Sequence, residues 1–169
     1  DVVDFTTATP ISGNATTADN VSYNEGQSGA VTRSLESKLQ ESVSVTDFGA
    51  VADAVVTGND VTGTDNLDAF TNALNAAVAS GISTVLVPGG FYYISDGFML
   101  PRGVTLQGDG TSHLPIVTQS SYRTGTCLLI NGAVGADCIA FESNAGHSAL
   151  TNMSVYNTND NDIRSVVSI

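Results

Sequence analysis

The chain has 169 residues, a net charge of −12, and only five Lys and Arg against seventeen Asp and Glu. Phosphate recognition needs clustered cations, so this balance excludes nucleic acid and an anionic membrane surface as partners. No apolar run reaches the roughly twenty residues of a membrane-spanning helix, so no membrane insertion is expected.

Hydrophobic residues make up 41% of the chain and mean hydropathy is +0.11, enough to support a packed core. Trp is absent and aromatics are scarce. Gly, Thr, Ser, Asn and Val are prominent, which favours short strands joined by turns. No charged-then-apolar leader opens the chain, and Asp1 in place of Met implies a trimmed or processed N-terminus. Cys127 and Cys138 are too few for a disulfide framework. Each sits in an apolar run (Cys127-Leu128-Leu129-Ile130 and Cys138-Ile139-Ala140-Phe141) and reads as a buried thiol.

Residues 1–29 are polar, with no helical or strand period, and read as an extended attachment or linker segment. Over 30–42 the texture changes. Val31, Leu35 and Leu39 recur at helical spacing, which predicts an amphipathic neck helix of about three turns. Such a helix is marginal alone and its apolar stripe is narrow, as in a seam between identical chains. From residue 43 onward, Val43, Val45 and Phe48 alternate and end at Gly49, as in a strand. An acidic loop follows over 53–65. Next comes the clearest helix, over 65–80. Thr64 or Asp65 is placed to cap it, Asp68 falls in its first turn, and Gly81 ends it. Leu67, Phe70, Leu74, Ala77 and Val78 form its apolar face.

Short apolar runs then alternate with turn residues. Thr84-Val85-Leu86-Val87 is a buried-type strand, Pro88-Gly89-Gly90 a turn, and Phe91-Tyr92-Tyr93-Ile94 and Phe98-Met99-Leu100 are further strands. Strand centres fall near Leu86, Thr105, Leu129, Ala140 and Met153, with Val166-Val167 last. Several gaps approach a solenoid period of about twenty residues or more. Stacked coils leave unpaired strand edges at their ends, and the 65–80 helix is suited to cover the first of them. An apolar strand-like run closes the chain, so the piece is expected to belong to something longer.

These residues carry a resemblance. Val43-Ser44-Val45-Thr46-Asp47-Phe48-Gly49-Ala50, the helix, Val85-Leu86-Val87-Pro88-Gly89-Gly90-Phe91-Tyr92-Tyr93-Ile94 and Leu100-Pro101-Arg102-Gly103-Val104-Thr105-Leu106-Gln107-Gly108-Asp109-Gly110 resemble the N-terminal signature of the pectate-lyase-like superfamily. The 53–65 loop is longer than that family's pattern and lacks its Gly between two acids. Upstream, Asn20-Val21-Ser22-Tyr23 and the run from Gly29 through Glu41 look like the neck of phage tailspikes and tail fibres.

The resemblance implies a mainly β fold, the start of a right-handed parallel β-helix over 43–169. Its N-terminus is capped by the helix that holds Thr64, Asp65, Leu67, Phe70 and Leu74. A trimeric neck would be built on Val31, Leu35 and Leu39. It also implies a homotrimer located in the virion tail. Residues 1–29 would bind tail or baseplate proteins, and the parent β-helix would recognise, and depolymerise, host surface polysaccharide outside the cell. Two other readings stand beside it: a self-contained polysaccharide lyase or glycoside hydrolase, and a non-viral pectinase-like secreted protein or adhesin.

No catalytic residue is assignable. Glycoside hydrolysis needs two carboxylates at a set separation, and lyase chemistry needs a base beside a cation. Asp137, Glu142, Asp160 and Asp162 are available, but none has a partner at a justified position. His113 and His147 stand alone without metal-ligand spacing. The 53–68 stretch lacks the alternation and closing Glu of a calcium loop. Tyr92, Tyr93 and Tyr122 read as packing residues before sugar-stacking ones. Gly108-Asp109-Gly110 is a turn, with no Lys or helix behind it to cradle phosphate. No cofactor and no metal is expected, and the complete active site is expected beyond this piece.

Overall fold

The structure is a computed structural model that describes residues 17–58, 60–111, 125–132, 138–143 and 146–158, and the backbone of 164–168. The chain divides into two compact units, Asp1–Glu41 and Ser42–Ile169.

In the first unit a 3-10 turn (Ala18–Asn20) leads into β1 (Ser22–Tyr23), which pairs antiparallel with β2 (Arg33–Ser34). Asn24 closes the intervening loop. Its amide donates to Thr32 Oγ1 at 3.0 Å, and its carbonyl accepts the Gly26 N–H at 2.8 Å. The helix α1 covers only Leu35–Leu39, which corrects the three-turn helix expected over 30–42. Periodicity ran through a stretch that the backbone divides. Arg33 and Ser34 are drawn into the β1 ladder, and Ser34 then serves as N-cap, accepting the Ser37 N–H at 3.1 Å. Glu41 pairs with Arg33 and with Lys38, each at 2.5 Å. Hydrogen bonds from Arg33 first and Lys38 second hold its carboxyl down at about 2. These are surface pairs, so they orient more than they stabilise. The Lys38 ammonium also lies 5.9 Å from the Tyr23 ring centroid.

The second unit is mainly β. It opens with β3 (Val43–Ser44), but the expected strand stops there and Val45–Phe48 form a 3-10 turn. Ser44 and Asp47 make a capping box: the Ser44 hydroxyl accepts the Thr46 N–H, and Asp47 Oδ2 accepts the Ser44 N–H at 3.2 Å. That local bonding outweighs the apolar alternation of Val43, Val45 and Phe48. The acidic loop carries an antiparallel hairpin, β4 (Val55–Thr57) with β5 (Asp60–Thr62). The helix α2 follows at Leu67–Ser80. It ends at Gly81, whose φ of +69° is the left-handed conformation a side chain would strain.

The remaining strands are β6 (Thr84–Val87), β7 (Gly90–Ile94), β8 (Phe98–Leu100), β9 (Thr105–Gly108), β10 (Thr126–Ile130), β11 (Ile139–Phe141), β12 (Ala149–Thr151), β13 (Met153–Asn157) and β14 (Arg164–Ser168). Each return of the chain adds a strand to one of three sheets. These run β3-β6-β9-β12, β7-β10-β13-β14 and β8-β11. Pairing is parallel throughout except for β14, which lies antiparallel on β13. The stacking puts like on like. Val43, Val85, Leu106 and Leu150 form one inward column, and Tyr92, Leu128 and Val155 another. This is a β-helix-like architecture, held by an apolar interior in which each fully buried large side chain contributes about 1.5–3 kcal/mol.

The helix buries Ala69, Phe70, Ala73, Leu74 and Ala77 against the Val45–Phe48 turn and strands β3, β6 and β8. The Phe70 ring meets Tyr92 edge-on at 5.7 Å and Phe98 at 5.8 Å. Val78, expected on this face, is 53% exposed, because the buried face is made by Ala69, Phe70, Ala73, Leu74 and Ala77 and Val78 falls outside it. A second apolar cluster lies on the alternate row of β7, β10 and β13. There Phe91, Cys127, Leu129 and Tyr156 are buried with Ala54, while Val56 and Val61 of the hairpin pack against them.

Candidate functional site

The expected functional residues are partly brought together. Asp53, Thr64, Asp65 and Asn66 converge on the edge of β7, where Asp53 bridges Phe91 and Asp65 bridges Tyr93. Asp53 accepts the Thr64 N–H at 2.8 Å and the Thr64 hydroxyl at 2.7 Å, closing the stem of the hairpin. Asp65 accepts the Leu67 N–H at 3.1 Å, the Ser95 N–H at 3.0 Å and the Ser95 hydroxyl at 2.6 Å. Bonds from the Thr64 side chain, then its backbone, hold the Asp53 carboxyl below the ordinary range. For Asp65, partial burial opposes its charge, but bonds from Ser95 and Leu67 outweigh it and the net shift is downward. Both carboxylates thus accept from N–H and O–H donors of neighbouring segments, an arrangement that fastens backbone. Among the described residues no group of three His, Cys, Asp or Glu is placed to hold a metal.

Asn66, not singled out in the sequence, is the centre of this clasp. It is fully buried. The two hydrogens of its amide nitrogen are shared among Thr64 O at 2.8 Å, Tyr93 O at 3.0 Å and Val51 O at 3.1 Å, and its carbonyl accepts the Val51 N–H at 2.7 Å. It also occupies the N-cap position of α2 without capping through its side chain, whereas Asp65 reaches the Leu67 N–H. Of the residues named for the helix, Phe70 and Leu74 are buried and Leu67 is partly so.

Thr126 plays a similar part at the next level. Fully buried, it donates to Val87 O at 2.9 Å and accepts the Asp109 N–H at 2.8 Å. That pins the Gly108-Asp109-Gly110 turn. Gly108 is obligatory there, since a Cβ would lie 2.2 Å from Asn152 O and 2.8 Å from Thr126 Cβ.

The other candidates are dispersed. Tyr92 is buried, and its hydroxyl donates to Pro88 O at 3.0 Å. Burial pushes its phenol upward, so Tyr92 is a packing residue. Tyr93 packs on the second apolar cluster. Glu142 is exposed and accepts the Arg102 N–H at 3.0 Å. His147 is exposed, in a turn at φ +79°. His113, Tyr122, Asp137, Asp160 and Asp162 lie outside the described residues. Cys127 and Cys138 are both buried, and burial pushes the Cys127 thiol up to about 12. In the first unit, Val31 is 80% exposed, Leu39 is 60% exposed and Leu35 is half-buried.

Residues 42–165 match the family model described as "Rhamnogalacturonase A/epimerase, pectate lyase-like". No curated protein matches. Among solved structures, tailspike protein 3 of bacteriophage CBA120 matches with a TM-score of 0.41 and 20% identity, over 80% of this chain and 25% of that one. The chain thus spans about a quarter of the length of that tailspike.

Proposed function

The chain belongs to the rhamnogalacturonase A/epimerase, pectate lyase-like family, and from that premise we propose that it is the N-terminal portion of a homotrimeric phage tailspike. In this reading, residues 1–29 attach it to the virion tail or baseplate, and the 30–42 segment is the trimeric neck. Residues 43–169 begin a right-handed parallel β-helix, capped at its N-terminal end by α2, that serves recognition and depolymerisation of host surface polysaccharide outside the cell. One observation carries the reading. The unit upstream of the family domain leaves Val31 and Leu39 mostly exposed, and identical chains would bury such residues together. The tailspike-like neck run from Gly29 through Glu41 supports it from the sequence side.

Sedimentation of the purified chain tests the assembly. A mass near three times 17.3 kDa is expected. Leu39→Asp should shift it to monomer, because a seam that buries three unpaired carboxylates loses several kcal/mol. A wild-type monomer at micromolar concentration would remove the neck. Incubation with bacterial capsule or O-antigen tests the rest. Binding without cleavage is expected of this portion, while release of oligosaccharides would show that it carries a complete active site.

A further inference from the structure

On the flank of the second unit a groove of about 480 Å³ opens between α2 and β8. Leu67 and Val78 from the helix and Phe98 and Met99 from the strand give its lining an apolar part, beside the polar Thr71 and Asn75 of the helix. Val78 and Met99 stay 53% and 58% exposed. Asp68, in the first turn of α2, and Glu142, just after β11, bring two carboxylates to the same groove. No Lys, Arg or His lines it, and neither carboxylate has a cationic partner among the described residues.

An apolar strip beside unpaired negative charge asks for a ligand that is both aliphatic and cationic. A second copy of the chain is poorly matched, since it brings seventeen acids against five bases, and Arg33 and Lys38 are already committed to Glu41. A sugar ring is also poorly matched. Among the described residues, the one aromatic ring in the lining, Phe98, is 7% exposed and offers no face for stacking. The helical side of the groove runs from Leu67 to Val78, about 16 Å at helical rise, which is the length of roughly five extended residues.

We propose that this groove is a docking site for an extended, basic and aliphatic peptide segment of a partner protein. Lys or Arg side chains of that segment meet Asp68 and Glu142, and its aliphatic side chains cover Val78 and Met99. Charge sets the encounter and its salt dependence, and apolar contact sets the residence.

The test uses the whole chain and a synthetic peptide of about ten alternating Leu and Lys residues bearing a photo-crosslinker, with Leu/Glu and Ser/Lys versions as comparisons. The Leu/Lys peptide is expected to bind at least about ten-fold more tightly than either comparison, and to crosslink within 67–78 and 97–101. Val78→Ser with Met99→Ser should weaken it about ten-fold without moving the thermal midpoint. Asp68→Asn with Glu142→Gln should weaken it and flatten the salt dependence, while Asp60→Asn with Asp109→Asn should leave affinity unchanged. Equal binding of the Ser/Lys peptide, or crosslinks spread over the acidic surface, would overturn the proposal. So would self-association abolished by Val78→Ser, which would assign the groove to a second copy.

Discussion

Asn66→Ala removes the side chain that ties three stretches of backbone together. Tyr93 O retains the Asn66 N–H at 3.0 Å, so it keeps a partner. The Val51 N–H, Val51 O and Thr64 O each lose one. Val51 is 43% exposed and Thr64 lies at the surface, so water recovers part of the loss. Taking roughly 1 kcal/mol per group, instead of the full penalty for a dry unpaired one, gives about 3 kcal/mol. For a unit of this size that lowers the thermal midpoint by about 6–12 °C. Urea unfolding followed by far-UV circular dichroism measures it, with the midpoint shifted and the slope unchanged. Asn72→Ala, on the exposed side of α2, is the control. It should stay within about 0.5 kcal/mol or gain slightly from helix propensity. If Asn66→Ala also stays within about 0.5 kcal/mol, the clasp is not what fastens the 51–66 segment to β7.

Other changes probe other parts of the fold. Gly108→Ala places a methyl on Asn152 O and Thr126 Cβ, so a loss of about 3 kcal/mol is expected by the same urea titration, and a neutral result would mean the turn has room to move. Asp53 and Asp65 both have folded values below the ordinary range, so their stabilisation is full above the unfolded value of about 3.9 and is lost as pH falls through the folded ones. The urea midpoint should therefore be flat from about pH 6 to 5 and drop below about pH 4. Asp53→Asn with Asp65→Asn should shrink that drop, and a midpoint that rises in acid would contradict the sign. Cys127, fully buried with its thiol pushed up to about 12, should resist thiol reagents near neutral pH and react only in denaturant. Prompt native-state labelling would show that the hairpin side of β10 opens.

Much of this protein is legible locally. A 3.6-residue apolar period ending at Gly81 marks α2 from sequence alone, because an amphipathic helix and its left-handed stop are short-range properties. Apolar runs bounded by Pro and Gly mark β6 through β9 for the same reason. The neck shows the limit of periodicity: Val31, Leu35 and Leu39 recur at helical spacing, but Ser34 as N-cap and the β1 ladder reduce the helix to Leu35–Leu39. Val45–Phe48 went the same way, since a Ser44–Asp47 capping box overrides alternation.

Tertiary structure decided the rest, through pairing between residues far apart in the chain. That Leu106 stacks between Val85 and Leu150, or Leu128 between Tyr92 and Val155, depends on how each coil returns, and no local pattern encodes it. Those returns make Asn66 a fully buried tie instead of one more polar loop residue, and turn Val78 out of the core into an open groove. The sequence by itself determined α2, the strands β6 through β9 and how acidic the chain is, because those follow from local pattern and composition. Only the stacking determined which of their side chains are left facing outward for a partner, because exposure belongs to neighbours brought together by the fold.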